Sequence, residues 1–111
     1  MKFAKAVTKF VRISPRKARR AADLIRNLSV EDAVLQLRYS RLKGGVLLKK
    51  TLDSAVANAQ TQLDARKENL KIFEVKVDEG PTMKRAKSKS RGGRVSVMKR
   101  TSHFTVVLSS D

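Results

Sequence analysis

The chain of 111 residues carries 26 Lys and Arg against 10 Asp and Glu, a formal charge of +16, with 41% hydrophobic and 32% charged residues. That length suits one ordinary domain with a single core, residues 1–111 together, rather than two. Cysteine is absent, which excludes disulfides, thiolate zinc sites and cysteine nucleophiles, and no apolar run approaches the ~20 residues of a spanning helix.

Residues 2–13, KFAKAVTKFVRI, mix apolar and polar positions at a period near two and read as a strand. Ser14 and Pro15 then predict a helix start, the hydroxyl capping free amides and the proline taking the first helical position. Through SPRKARRAADLIRN, Ala18, Ala21, Ala22, Ile25 and Leu28 fall on one side, while Arg16, Arg19, Arg20 and Arg26 gather on the other. That helix has a core face and a basic face. Ser29 opens a second helix, because SVED is a capping-box pattern whose acids suit a helix N-terminus. Val30, Ala33, Val34 and Leu37 supply its apolar stripe. A third, longer helix is predicted over residues 42–63, with Leu48, Leu52, Ala55, Val56, Ala59 and Leu63 at helical spacing. The small residues of SAVANA read as close packing inside the core, with Asn58 the polar exception.

DARKEN ends the helical region, and LKIFEVKVDEG follows as a strand. Its alternation changes phase between Ile72 and Phe73, which predicts a bulge or a two-faced strand. HFTVVL at 103–108 is a second strand-like run. A strand on each side turns the stretch between them, GPTMKRAKSKSRGGRVSVMKRTSH at 80–103, into a long protruding hairpin. From Lys84 to Arg94 six of eleven residues are Lys or Arg and none is acidic. These charges are internal because a returning strand must re-enter the sheet. At ~3.3 Å per residue, arms of about 12 residues reach roughly 40 Å. A ribbon so poor in apolar surface is marginal in water, so something outside must hold it. Lys84, Arg85, Lys87, Lys89, Arg91 and Arg94 suit phosphate contacts, while Gly92 and Gly93 permit a tight turn.

The charge is unevenly spread. Residues 1–22 hold eight Lys or Arg and no acid, residues 23–79 hold ten against nine acids, and residues 80–110 hold eight and no acid. Two acid-free blocks around a nearly neutral centre suggest two limbs or faces aimed at one polyanion, with nucleic acid the leading candidate. The basic N-terminus shares its composition with transit peptides, but Ser14 and Pro15 within it are poised to start a helix.

An enzyme finds little machinery here: one His, no Cys, no carboxylate pair at metal-ligand spacing and no Walker-type glycine loop. No catalytic residue, metal site or cofactor is expected. His103 reads as a hydrogen-bonding group to RNA or backbone rather than a general base, since it lacks an orienting partner. A DNA-architectural protein with β-arms shares basic hairpins. A membrane-surface helix does not fit the first helix, which offers mainly alanine where bulky apolar residues would insert. Recognition of shape and backbone is expected over base reading, with Tyr39 the side chain available for exposed stacking.

The segments RISPRKAR at 12–19 with DLIR at 23–26, LDSAVANA at 52–59, VDEGPTMKR at 77–85, and KRTSH with TVV at 99–107 resemble the large-subunit ribosomal protein twenty-two family. The likeness covers nearly the whole chain in four ordered blocks. It implies an α+β fold, three helices packed on a three-stranded antiparallel sheet with a long extended β-hairpin. It further implies a cytoplasmic ribosomal protein, bacterial or organellar, with its body near the polypeptide exit and its hairpin threading through ribosomal RNA to line the exit tunnel. Early binding in assembly and contact with several RNA domains, neighbouring large-subunit proteins and the passing nascent peptide follow from the same resemblance; neither a membrane nor a homo-oligomer is expected. Carried over by position, it makes Arg12, Ser14, Lys17, Arg19 and Arg26 RNA contacts of the body. Lys84 and Arg85 belong to the outgoing arm, and Lys99, Arg100, Ser102 and His103 to the returning one. Arg16, Arg20, Lys87, Lys89, Arg91 and Arg94 join them on charge. At the tip, Ser88 stands where many relatives have proline.

Overall fold

The computed structural model describes residues 2–88 and 94–110, and for 83–98 the backbone course only. Its elements in chain order are β1 (Lys2–Val11), α1 (Pro15–Ile25), α2 (Val30–Tyr39), α3 (Lys43–Leu63), a single 3₁₀ turn (Lys67–Asn69), β2 (Leu70–Glu79), β3 (Met83–Ser88), β4 (Arg94–Lys99) and β5 (Ser102–Ser110). The fold is α+β. Strands β1, β5 and β2 form an antiparallel sheet in that spatial order, and the helices cover one of its faces.

The alternation in β5 explains the layering. Phe104, Val106 and Leu108 are fully buried beneath the helices, and the intervening His103, Thr105, Val107 and Ser109 lie half-buried on the opposite face. Ala4 and Ala6 of β1 and Leu70, Ile72, Val75 and Val77 of β2 complete the buried side. Against them pack the helical stripes read from the sequence: Ala18, Ala21, Ala22 and Ile25, then Val30, Ala33 and Leu37, then Leu48, Leu52, Ala55, Val56 and Ala59. Each large side chain buried in this way contributes about 1.5–3 kcal/mol. The phase change at Ile72 and Phe73 is a bulge: Ile72 pairs with Leu108 and Glu74 with Val107, which leaves Phe73 as the extra residue.

The helix starts differ from one another. Ser29 caps α2, its hydroxyl accepting from the Asp32 amide at 3.4 Å. Ser14 has extended backbone and Pro15 opens α1, yet the Ser14 hydroxyl makes no capping bond, contrary to the sequence expectation. The same helix stops at Ile25, before Leu28 of the expected stripe: Arg26 already has extended backbone, and Asn27 then turns left-handed at φ 64°. That turn sends Leu28 to β2, where its carbonyl accepts from the Ile72 amide at 3.0 Å.

Gly44 near the start of α3 fixes how closely two helices meet. A Cβ there would lie 3.3 Å from the Ala18 Cα, the Ala21 Cβ and the Ile13 Cδ1, tighter than ordinary van der Waals contact, so the missing side chain eases the close approach of the two helices. The starts of α1 and α3 therefore lie side by side.

Strands β3 and β4 pair only with each other, from Met83 opposite Lys99 to Ser88 opposite Arg94. They form an antiparallel ribbon that continues β2 and β5, and the long axis of the molecule is 62 Å against 24 and 17 Å across. The ribbon's root is clasped by the Gly80 amide donating to the Thr101 carbonyl at 3.0 Å. The Thr101 hydroxyl in turn donates to the Pro81 carbonyl at 2.7 Å. The expected turn at Gly92 and Gly93, with Lys89 and Arg91, lies outside the described residues.

Candidate nucleic-acid interface

Where α1, α3 and the ribbon's root converge, the surface forms a cleft of about 670 Å³. Arg12 and Ser14 reach it from the β1–α1 connection, Lys17 and Arg20 from α1, Lys43 from the start of α3, and Lys99 and Arg100 from the returning arm. Ile13, Leu42 and Gly44 complete the lining, and among the described residues no acidic side chain contributes. Cations from four separate chain segments meet here because Gly44 admits α3 against α1 and because the ribbon's root stands beside both.

The backbone adds to this field. Neither α1 nor α3 has a side-chain cap or an acid in its first turn, and amides at a helix start carry partial positive charge. Excess charge of one sign destabilises a compact state unless a partner neutralises it. Six cations around one concavity are therefore suited to phosphate oxygens, through charge-assisted hydrogen bonds.

Of the residues singled out from sequence, Arg12, Ser14, Lys17, Arg20, Lys99 and Arg100 meet in this cleft. Lys43 joins them and was missed; it lies in the nearly neutral central block, and only the helix contact at Gly44 brings it here. Arg16 is exposed on α1 outside the lining. Arg19 and Arg26 point the other way, donating to the carbonyls of Val77 at 3.1 Å and Val75 at 2.8 Å. Ser102 departs from its expected role in RNA contact: it is fully buried, and its hydroxyl donates to the Ile13 carbonyl at 2.7 Å. The His103 Nδ1 accepts from the Phe10 amide at 3.1 Å. Lys84, Arg85 and Lys87 lie on β3 and Arg94 on β4, placing their backbone along the ribbon.

The aromatic residues also differ from expectation. Tyr39 is exposed, but so are Phe3, Phe10 and Phe73. Among the described residues, no group of His or acidic side chains gathers as for a metal ion, and no helix is long and apolar enough to cross a membrane.

A small α+β body with an acid-free cleft at the root of a basic ribbon has the make-up of a structural protein for a polyanion. The chain belongs to the ribosomal protein L22p/L17e family, whose model matches residues 6–109. It is 72% identical over 110 residues to the large ribosomal subunit protein uL22 of Protochlamydia amoebophila strain UWE25, covering 99% of both chains. Identity to the proteins of the same name from Chlamydia abortus and Chlamydia pneumoniae is 58% and 57% over 104 residues, 94% of each chain. It is a structural ribosomal protein, not an enzyme.

Proposed function

We propose that the whole chain acts as one domain of the large ribosomal subunit, in the cytoplasmic ribosome, and binds large-subunit ribosomal RNA by its cleft and its ribbon. The observation that carries this reading is the gathering of Arg12, Lys17, Arg20, Lys43, Lys99 and Arg100 around one acid-free concavity. Phosphates of the RNA backbone occupy that cleft, and the Lys and Arg residues of 84–94 follow the backbone further from the body. A ribbon that pairs only with itself takes its support from the RNA it enters. Binding of this kind joins several RNA segments, which suits a role early in subunit assembly. The body then stands near the polypeptide exit among neighbouring ribosomal proteins, and the hairpin tip lines the tunnel along the nascent peptide.

The test replaces Lys84, Arg85, Lys87 and Lys89 with Ala together and follows retention on large ribosomal particles through mild and then stringent salt washes. Loss under stringent washing with unchanged thermal stability of the free protein is expected. Full retention, or an equal loss of stability in the free protein, would contradict the reading. A photo-crosslinker at position 91 is expected to capture nascent peptide, and its failure would remove the tunnel contact. Preference for duplex DNA over structured RNA would favour a DNA-architectural role instead.

A further inference from the structure

Phe104 is the one phenylalanine of four in the core; Phe3, Phe10 and Phe73 are 48%, 62% and 56% exposed. All three belong to the outer strands, on the sheet face that the helices leave open. Phe73 is the extra residue of the bulge in β2. Phe10 lies in the register break of β1 between Thr8 and Val11, at φ 59°, a conformation rare for a bulky side chain. Phe3 and Phe73 meet across β5 with ring centroids 4.8 Å apart, and Phe10 sets its ring edge-on to His103 at 5.0 Å. Both irregularities thus deliver an aromatic ring to solvent, and retained backbone strain points to a use for the side chain it presents.

We infer that this open face is a second RNA contact, a platform on which unpaired nucleobases stack. Exposed Lys5 and Lys9 accompany the phenylalanines of β1, Lys71 flanks Phe73, and β1 and β5 contain no acid. Aromatic rings among cations are the composition of single-strand nucleic-acid surfaces, whereas lysine is depleted where proteins meet. The acids of this face, Glu74 and Asp78, are confined to β2, and Glu74 pairs with Lys76 at 3.5 Å. The inference rests on the RNA-binding reading above and adds base contacts to its phosphate contacts.

Its test compares the full-length protein with the double variant Phe3→Ser/Phe73→Ser on single-stranded oligoadenylate of about ten nucleotides and on an RNA duplex, at elevated salt. Loss of affinity for the single strand on the order of tenfold or more is expected, with duplex binding unchanged. Phe3→Leu/Phe73→Leu keeps the apolar bulk without the ring face and is expected to lose the same preference. Unchanged affinity for oligoadenylate, or equal loss on both RNAs, would overturn the platform. Wild-type protein that binds neither RNA would sink the underlying RNA-binding reading as well. Within assembled subunits, a benzoylphenylalanine at position 73 should crosslink to RNA; capture of a protein, or of nothing, would overturn the inference.

Discussion

The Nη1 of Arg26 donates to the carbonyl of Val75 at 2.8 Å, and the strand that receives it is an edge of the sheet. One helical stretch earlier, Arg19 does the same for Val77 at 3.1 Å. Leu28 and the bridge of Ser29 with Lys71 close more of this edge. At the opposite edge the Asn58 side chain donates to the Lys5 carbonyl at 3.0 Å. Both outer strands thus have backbone groups satisfied by the helical layer, which blunts pairing with other chains. The arginines of α1 divide accordingly: Arg19 and Arg26 tie the helix to β2, while Lys17 and Arg20 face the cleft.

Replacing Arg26 with Ala is expected to lower the stability of the free protein by about 1 kcal/mol. Its exposed pair with Asp23 at 3.0 Å adds little. Arg20→Ala should leave thermal unfolding unchanged and weaken RNA binding. Thermal denaturation of the two variants side by side checks the division, and identical midpoints would contradict it.

At the ribbon's root, a Cβ on Gly80 would collide with the Thr101 hydroxyl oxygen, which is committed to the Pro81 carbonyl. Gly80→Ala should therefore break that bond and, by displacing Thr101, loosen the neighbouring bond from the residue-80 amide to the Thr101 carbonyl, raising hydrogen exchange at the position-80 amide. The cost should shrink in a Thr101→Ala background, where the obstructing atom is gone. A double-mutant cycle measures this coupling. Strict additivity would show that the two residues do not meet.

At Gly44 the neighbouring atoms leave only tight space for a side chain. Gly44→Val places branched bulk against Ala18, Ala21 and Ile13, and overpacking of this kind costs about 1–3 kcal/mol. The separation of α3 from α1 should also draw Lys43 out of the cleft. Urea unfolding together with RNA affinity of the folded fraction tests both consequences; a variant unchanged in both would contradict the close approach.

Ser102→Ala leaves the Ile13 carbonyl without its buried donor. A loss of about 1–3 kcal/mol in stability is expected, with unchanged RNA affinity per folded molecule. Reduced affinity at full stability would return Ser102 to the RNA-contacting set.

Much of this architecture was legible from local pattern. The helical stripes, the cap at Ser29 and the bulge at Phe73 each depend on residues adjacent in sequence, where periodicity and capping chemistry act. What depended on topology was not legible. Arg19 and Arg26 read as surface charge until β2 proved to be an edge with carbonyls to fill. Lys43 entered the cleft only through the contact at Gly44, between residues distant in the chain. Phe3 and Phe10 read as strand apolars, and nothing local told that the helices cover a single face. Ser14 carried a capping signature but makes no capping bond in the fold.

The most direct measurement is the salt dependence of binding to a large-subunit ribosomal RNA fragment by the wild type and by Lys17→Ala/Arg20→Ala/Lys43→Ala. If about six to ten phosphates are neutralised, log K should fall against log salt with a slope between about −4 and −9. The triple variant should be shallower by about 2 to 3 while staying folded. A nearly flat wild-type titration, or a variant slope equal to the wild type's, would contradict phosphate binding in the cleft.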